Sequence, residues 1–322
     1  MKKNVILLET IADEAMALLE AEKENIQIFT AYGSVPVDQI LAENPIHAVI
    51  TRGKGQVNPK LMDACPDLAV VARCGVGLDN VDVKEATSRN IKVVNAPGSN
   101  SGTIAEHALT LMLMLQRNLY ESARQVKAGN WEWRNQFEGD ELNGKTLGIL
   151  GMGNIGKRVA KIADAFGMNV VYWDKFQPET PYQYLPLEEV LSSSDIITLH
   201  LPLLEDTKNL IGSEELKKMQ KHAILINTAR GGLVDHDALL EALNNSEIAG
   251  FGADVLDVEP PSPDNPLTAH PKTIITAHVG SLTATTYKNM CVSTVSNVLA
   301  ILFNKKPQPE SIFNRRELNL TE

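Results

Sequence analysis

The sequence lacks most of the features that mark secreted and membrane proteins. It has only 3 cysteines in 322 residues, Cys65, Cys74 and Cys291, and their spacing matches no metal site. We therefore expect reduced thiols in a cytoplasmic protein, and no metal. The most apolar stretch, residues 108–115, is far shorter than a membrane span, and the apolar segment near the N-terminus is too short for a signal peptide.

Positive charge is also scarce. Forty acidic residues against 30 basic ones give a formal net charge of −10. Such a surface repels phosphate backbones and anionic lipid, so we expect no nucleic-acid partner and no membrane. The hydrophobic (43%) and charged (22%) fractions are those of a globular protein, and the length favours two domains.

Short β-branched runs alternate with amphipathic stretches along almost the whole chain, which predicts βαβ units and parallel sheets. Strands are predicted at residues 5–8, 26–29, 48–51, 68–72 and 91–94, and again at 146–150, 169–173, 195–199, 223–226, 249–253 and 273–276. Helices are predicted at residues 11–22, 37–42, 59–63 and 83–89, and others begin near residues 155, 187, 213 and 235.

Two long helices, predicted at residues 103–126 and 283–304, separate these two series of strands. The pattern indicates an α/β protein with two doubly wound parallel-sheet domains, the second inserted into the first. We expect residues 1–100 and 285–322 to form one domain and residues 101–284 the other. The tail beyond Pro307 is polar, and Trp131 and Trp133 are expected to be packing residues.

A glycine motif follows the first strand of the second series. Gly151, Gly153 and Gly156 form Gly-x-Gly-x-x-Gly between an apolar run and a helix, the context in which this motif binds a dinucleotide. Asp174 ends the next strand, where a carboxylate accepts ribose hydroxyls and repels a 2′-phosphate, which favours NAD over NADP. The alternative is a glycine-rich turn in a non-binding α/β protein, with Asp174 as a strand-end cap.

Three side chains that could carry chemistry follow strands downstream of the glycine motif. Arg230 lies in a turn before two glycines, His278 follows the last predicted strand, and Glu259 lies between them before Pro260. A carboxylate beside a histidine stabilises the imidazolium, which suits a proton donor. Taken singly, these are a surface ion-pair residue, a loop histidine and a solvated turn glutamate, but their shared position at strand ends favours an active site. No Gly-x-Ser-x-Gly elbow supports a hydrolase.

Together these motifs resemble the D-isomer-specific 2-hydroxyacid dehydrogenase family over nearly the whole chain. The similar segments are residues 73–82, 151–156 with Asp174, 200–203 with Thr207, 227–232, 252–255 and 259–260. The resemblance implies a Rossmann NAD-binding domain inserted into a flavodoxin-like substrate domain. It also implies NAD as cofactor, a small 2-hydroxy or 2-oxo acid as substrate, and a homodimer.

The resemblance implies a role for each matching residue. Arg230 would bind the substrate carboxylate, His278 would donate or accept the proton, and Glu259 would hydrogen-bond His278. Further substrate-binding groups would be the backbone N–H groups of Gly75, Val76 and Gly77, and Arg52 is an additional candidate. The implied cofactor-binding residues are Val76, Thr103, Gly151, Gly153, Asn154, Ile155, Gly156, Asp174, His200, Pro202, Thr207, Thr228, Ala229, Arg230, Asp254, His278 and Gly280.

The substrate stays open at this point. Residues 141–151 look most like phosphoglycerate dehydrogenases, and Arg52 and Lys54 could meet a phosphate or sulfonate, or could be solvated loop charges. Glycerate or hydroxypyruvate is the comparable alternative, and Leu282 and Thr285 depart from the family pattern after His278. We expect no C-terminal regulatory domain, and therefore no feedback through one.

Two other functions compete with this interpretation. One is an NAD(H)-sensing, corepressor-like protein-binding module without turnover, although such a module would be expected to lose Arg230, Glu259 or His278. The other is a related oxidoreductase that oxidises formate or phosphite with the same cofactor site.

Overall fold

A computed structural model describes residues 2–320 and divides the chain into two compact units. One unit comprises Met1–Asn100 with Leu282–Glu322, and the other is Ser101–Ser281. The chain therefore leaves the first unit after its fifth strand and re-enters it at the last long helix.

The first unit is built on a five-stranded parallel sheet with the order β2-β1-β3-β4-β5. Its strands are β1 (Lys3–Leu7), β2 (Ile26–Thr30), β3 (Ala48–Thr51), β4 (Val70–Arg73) and β5 (Lys92–Val94). Nearly every residue of β1, β3 and β4 is buried, as expected of parallel strands covered on both faces.

Helices cover both faces of this sheet. They are α1 (Asp13–Ala21), α2 (Val37–Glu43), α3 (Pro59–Asp63), α4 (Val83–Ser88) and α12 (Ala284–Leu302). Asn58, Asp82 and Thr283 cap α3, α4 and α12 with their side chains, and Pro59 occupies the first helical position of α3. Cys291 and Val295 of α12 enter the core formed by β1, β3 and β4.

The second unit contains a seven-stranded parallel sheet with the order β12-β11-β10-β9-β6-β7-β8. Its strands are β6 (Thr146–Leu150), β7 (Asn169–Trp173), β8 (Gln183–Tyr184), β9 (Ile196–Leu199), β10 (Ile224–Asn227), β11 (Gly250–Ala253) and β12 (Thr273–Ile275). The strand order reverses between β9 and β6, so the loops after these strands meet at the switch point where α/β proteins bind ligands.

The second unit also contains seven α-helices. They are α5 (Ser101–Gln116), α6 (Leu119–Lys127), α7 (Asn154–Ala165), α8 (Leu187–Ser193), α9 (Ser213–Lys218), α10 (His236–Asn244) and α11 (Pro266–Ala269). The two parallel α/β sheets confirm the predicted fold class.

Two expectations from the sequence are wrong. The single helix predicted over residues 103–126 is two helices, α5 and α6, because Asn118 adopts a left-handed conformation with φ of 47° that interrupts the helical hydrogen bonds. Trp131 was expected to pack, but it is 62% exposed.

Within residues 2–320, no helix combines the length and apolar character needed to cross a membrane. The same residues contain no group of three or more histidine, cysteine or acidic side chains arranged to hold a metal ion.

Candidate active site

The glycine motif forms a tight turn between β6 and α7. Gly151 has a φ of 101°, and a Cβ atom there would lie 2.6 Å from the carbonyl oxygen of His200. A Cβ on Gly156 would collide with the carbonyl oxygen of Gly151. Both positions therefore require glycine for the fold itself, because strand, turn and helix approach so closely.

Gly153 differs, because a Cβ there would meet nothing within 4 Å. Gly153 is also the N-cap of α7, so no side chain caps the first-turn N–H groups at Asn154 and Ile155. Open space in front of uncapped N–H groups and a helix N-terminus suits a pyrophosphate. Thr228 adds a buried hydroxyl that has no hydrogen-bond partner among the described residues. These features fit a bound dinucleotide.

Asp174 stands beside this turn at the end of β7. Its Oδ2 accepts a 2.7 Å hydrogen bond from the N–H of Met152, inside the glycine motif, and its Oδ1 accepts one of 3.1 Å from Phe176. The neighbouring Lys175 forms an ion pair of 2.6 Å with Asp206. Two hydrogen bonds therefore fix the carboxylate of Asp174 beside the glycine motif. The charge of Lys175 is neutralised by Asp206 and not by Asp174.

The loop after β9 carries three more expected cofactor residues. The hydroxyl of Thr207 donates to the carbonyl of Pro202 and accepts from the N–H of Leu204, both at 2.7 Å, which closes the loop. Burial lowers the pKa of His200 to about 3, so its ring is neutral. The ring nitrogen Nε2 of His200 lies 3.0 Å from the hydroxyl of Thr198. His200 therefore meets the glycine motif through its backbone.

His278 and Glu259 are in contact. Nδ1 of His278 lies 2.7 Å from Oε2 of Glu259, and the other oxygen of Glu259 accepts a 2.9 Å hydrogen bond from the N–H of Leu256. The His278 side chain is 49% exposed. Because Nδ1 is engaged by the carboxylate, Nε2 is the ring nitrogen left to exchange a proton with a substrate.

Asp254 holds the segment that follows His278. The carboxylate is 2% exposed and accepts hydrogen bonds from the N–H groups of Val279 (2.9 Å) and Gly280 (2.7 Å) and from the hydroxyl of Thr276 (2.6 Å). These bonds fix the backbone on both sides of His278, which has a φ of 53°. Asp254 thus holds the histidine in place through the backbone.

Sequence reasoning missed His107, which completes this network. Its Nε2 lies 2.9 Å from the hydroxyl of Thr276 and 3.5 Å from Oδ1 of Asp254. His107 is one helical turn after Thr103 on α5, and this spacing from an expected cofactor residue was the only signal in the sequence.

Arg230 is held in a turn after β10. The buried side chain of Asn227 accepts from the N–H of Ala229 at 3.0 Å and donates to the carbonyl of Arg230 at 2.9 Å. Gly231 packs directly on the backbone of Leu256, and any Cβ there would collide with it. This contact brings the Arg230 turn against the segment that carries Glu259. Asn227 is a second residue that sequence reasoning missed.

In the first unit, Arg73 joins the loops that follow β3 and β4. Its guanidinium donates to the carbonyl of Arg52 at 3.1 Å and to the carbonyl of Gly77. The N–H of Gly75 donates to the carbonyl of Arg73. Among the expected carboxylate-binding N–H groups of this unit, those of Val76 and Gly77 donate to no other described residue.

Glu9 organises the loop after β3, and sequence reasoning missed it as well. Its carboxylate accepts hydrogen bonds of 2.8 Å from the N–H groups of Arg52 and Gly53 and from the hydroxyl of Thr51, and one of 3.1 Å from the N–H of Gly55. Burial opposes ionisation, but these hydrogen bonds outweigh it and lower the pKa of Glu9 to about 2.

This loop leaves Arg52 facing α12. The guanidinium donates a 3.3 Å hydrogen bond to the hydroxyl of Tyr287, and its central carbon lies 5.5 Å from the centre of that ring. Lys54 is exposed. Arg52 is therefore oriented by an aromatic side chain, whereas Lys54 has a solvated side chain.

Comparison with known proteins identifies relatives of this chain in sequence and in structure. The family model "D-isomer specific 2-hydroxyacid dehydrogenase, NAD binding domain" matches residues 109–280. The hydroxypyruvate reductase of Thermotoga maritima is 35% identical over 89% of this chain and 94% of its own length. The D-3-phosphoglycerate dehydrogenase of Archaeoglobus fulgidus is 38% identical over 87% of this chain, which spans only 53% of that relative. A solved structure from Thermus thermophilus matches with a TM-score of 0.87 and 37% identity, covering 94% of this chain and 98% of the other.

Proposed function

This chain belongs to the D-isomer specific 2-hydroxyacid dehydrogenase family of NAD-binding oxidoreductases, and we propose that it reversibly reduces a small 2-oxo acid to the 2-hydroxy acid. The observation that carries this proposal is the 2.7 Å contact between His278 and Glu259 at the carboxyl edge of the NAD-binding sheet. Bound NADH would supply the hydride. The chain itself would supply the proton, the anchor for the substrate and the positioning of both.

In the direction of reduction, Nε2 of His278 donates its proton to the 2-oxo oxygen as the carbonyl becomes a hydroxyl. Glu259 stabilises the imidazolium before transfer and holds the ring by Nδ1. Arg230 binds the substrate carboxylate and polarises the 2-oxo group, because its planar fork of donors matches a carboxylate.

We further propose a three-carbon substrate, either phosphorylated as in 3-phosphohydroxypyruvate or carrying a free hydroxyl as in hydroxypyruvate. The names of the two relatives support these two choices equally. Arg52 is the residue that would distinguish them. Its guanidinium is already oriented by Tyr287, and a guanidinium binds a phosphate more strongly than a neutral hydroxyl.

The test follows NADH oxidation with a panel of 2-oxo acids that includes 3-phosphohydroxypyruvate, hydroxypyruvate and glyoxylate. His278→Gln is expected to lower kcat by about 10²–10⁴-fold while NADH binding stays within about two-fold. A matched control is His222→Gln, because His222 pairs with Asp195 at 2.6 Å at the opposite, amino edge of the same sheet.

Several results would contradict the proposal. One is an equal loss of kcat in His278→Gln and His222→Gln. Another is NADH binding without turnover of any panel member, which would favour a binding module.

A second variant tests the substrate. With Arg52→Gln, KM is expected to rise for 3-phosphohydroxypyruvate alone if the substrate is phosphorylated. An equal change in KM for all substrates would show that Arg52 does not select the substrate.

We also propose that the protein is a cytoplasmic homodimer. α6, the short 3₁₀ helix Trp131–Gln136 and the residue after it expose five apolar side chains within one segment of 19 residues: Leu119, Tyr120, Val126, Trp131 and Phe137. Such a concentration of exposed apolar side chains is typical of a protein interface. Light scattering is expected to give twice the mass of one chain for the wild-type protein. The Trp131→Asp variant is expected to have the mass of a single chain.

The cysteines bear on the compartment. The buried free thiols of Cys65, Cys74 and Cys291 are consistent with a reducing compartment.

A further inference from the structure

A cavity of about 310 Å³ opens on the first unit, a size at the lower end of small-molecule pockets. It lies between the start of β5, the end of α12 and the last segment of the chain. Because Lys92 begins β5, the cavity is at the amino end of this strand. The loop of Gly75–Gly77 follows the carboxyl end of β4, so the cavity is separate from the expected substrate-binding groups of this unit.

The charged side chains of the cavity all have the same sign. Lys92, Lys305, Lys306 and Arg315 line it, and no acidic residue among residues 2–320 does. Within the part of the chain that the structure describes, none of the four forms an ion pair. By contrast, Lys288 of the same unit pairs with Glu14 at 2.9 Å. Four like charges around one cavity repel each other, so an anion placed between them would be stabilised.

The rest of the lining is largely apolar. Ile301, Pro307, Pro309, Ile312 and Leu320 contribute to it, and Ile312 is 6% exposed. A lining that is both cationic and apolar does not match a simple inorganic ion, which needs no apolar contact. It matches a molecule with an anionic head group and a short apolar body.

The wall beside β5 is preformed. The tail beyond Pro307, expected to be merely polar, adds Ile312 to the sheet as a bridge to Val94. Asn314 is 1% exposed, accepts a 2.9 Å hydrogen bond from the N–H of Val93 and donates one of 2.9 Å to the carbonyl of Ile91. A buried amide with several partners fixes the tail against the strand that carries Lys92.

The wall beside α12 is held in the same way. Asn297 is 4% exposed, accepts a 2.7 Å hydrogen bond from the N–H of Gln308 and donates one of 3.1 Å to the hydroxyl of Ser311. At the end of α12, the N–H of Lys305 donates to the carbonyl of Ala300 at 2.7 Å. This bond satisfies a terminal carbonyl that would otherwise disfavour an anion.

We propose that this cavity is a binding site for a small amphiphilic anion. The carboxylate or phosphate head group would pair with Lys92, Lys305, Lys306 and Arg315. The apolar body would lie against Ile301, Ile312 and the prolines. Because two buried asparagines already fix the walls, little ordering is needed on binding.

The test titrates octyl phosphate and octanoate into the full-length protein by calorimetry, with NADH present to fill the dinucleotide site. Octanol and inorganic phosphate serve as probes that lack the charge or the apolar body. We expect the two amphiphilic anions to bind at least about ten-fold more tightly than either partial probe, and binding to weaken as salt is added.

Two double variants with the same change of net charge locate the binding. K305E/K306E is expected to weaken octyl phosphate binding at least about ten-fold. K60E/K84E, on exposed lysines of α3 and α4, is expected to change it less than about two-fold. Arg315→Gln provides a second variant within the cavity, and circular dichroism shows whether each variant is folded.

Three results would overturn the proposal. One is the absence of binding by both amphiphilic anions to the wild-type protein. Another is equal weakening in the K305E/K306E and K60E/K84E variants. The third is equal affinity for octyl phosphate and inorganic phosphate, which would leave the apolar lining without a role.

Discussion

Asp254 accepts a 2.7 Å hydrogen bond from the backbone N–H of Gly280, two residues after His278. A buried carboxylate therefore fixes the backbone that carries the histidine, without touching the histidine ring. A Cβ on Gly280 would lie 2.7 Å from the same carboxylate oxygen, so the close approach depends on glycine at this position. The two residues act as one unit that places His278 against Glu259.

The first prediction concerns this unit. Asp254→Asn keeps the shape of the side chain, but its amide nitrogen cannot accept a hydrogen bond from Val279 or Gly280. We expect kcat to fall by at least about ten-fold and the free energy of unfolding to fall by about 1–3 kcal/mol. Steady-state kinetics and urea unfolding measure the two effects. An unchanged kcat in Asp254→Asn would show that the backbone contact does not position His278. Asp264→Asn, on the exposed surface, is the control variant.

His107 is predicted to act on the same unit through Thr276. His107→Leu removes the 2.9 Å contact with the Thr276 hydroxyl, whereas His107→Gln can keep a hydrogen bond from a similar position. We expect the leucine variant to lose about 3–10-fold in kcat with little change in KM, and the glutamine variant to recover most of it. Equal activity in both variants would show that His107 only fills space.

The third prediction contrasts two glycines of the dinucleotide motif. Gly156→Ala is expected to destabilise the fold by more than about 3 kcal/mol, since the new Cβ would collide with the carbonyl of Gly151. Gly153→Ala meets open space, so we expect its stability to stay within about 0.5 kcal/mol.

The same Gly153 variant should weaken NADH binding by at least about ten-fold, because the methyl group would occupy the approach to the pyrophosphate. Thermal unfolding and a fluorescence titration with NADH separate the two effects. A Gly153 variant that binds NADH normally would place the pyrophosphate elsewhere.

The fold was largely predictable because each parallel strand is a short apolar run buried on both faces, which leaves a clear signal in the sequence. β8 was missed since two residues, Gln183 and Tyr184, show no periodicity. The break at Asn118 was missed because the apolar pattern continues across it, and only the backbone conformation marks the end of α5.

The site was predictable to the extent that its residues lie in motifs. Glu9 and His107 lie outside the motifs because each acts through contacts with residues distant in sequence. Glu9 meets the loop at Thr51 42 residues later, and His107 meets Thr276 169 residues later. Such contacts are set by the packing of whole elements, and no local pattern encodes them.

A fourth prediction concerns the choice of cofactor. Asp174→Ala removes the carboxylate that would repel a 2′-phosphate, so the preference for NADH over NADPH should fall by at least about ten-fold. The variant also loses the hydrogen bond to Met152, so NADH affinity should decrease. The ratio of kcat/KM with NADH to kcat/KM with NADPH measures this preference. Lys175→Gln is the control, since Lys175 pairs with Asp206, and an unchanged ratio in Asp174→Ala would place the ribose elsewhere.

The last prediction concerns pH and the loop that Glu9 organises. The pKa of Glu9 is about 2 in the folded protein and 4.5 for an unperturbed glutamate, so folding favours the ionised form. Its stabilising contribution is present in full above about pH 4.5 and is lost as the pH falls from there towards about pH 2. Glu9→Gln, whose amide nitrogen cannot accept the loop's N–H groups, should cost about 1–2 kcal/mol near pH 7, after allowance for partial exposure. The difference from the wild-type protein should shrink below about pH 4.5, and Glu20→Gln on the exposed surface of α1 is the matched control variant. Urea unfolding at several pH values measures this difference, and a constant difference down to about pH 3 would mean that the ionised carboxylate does not hold the loop.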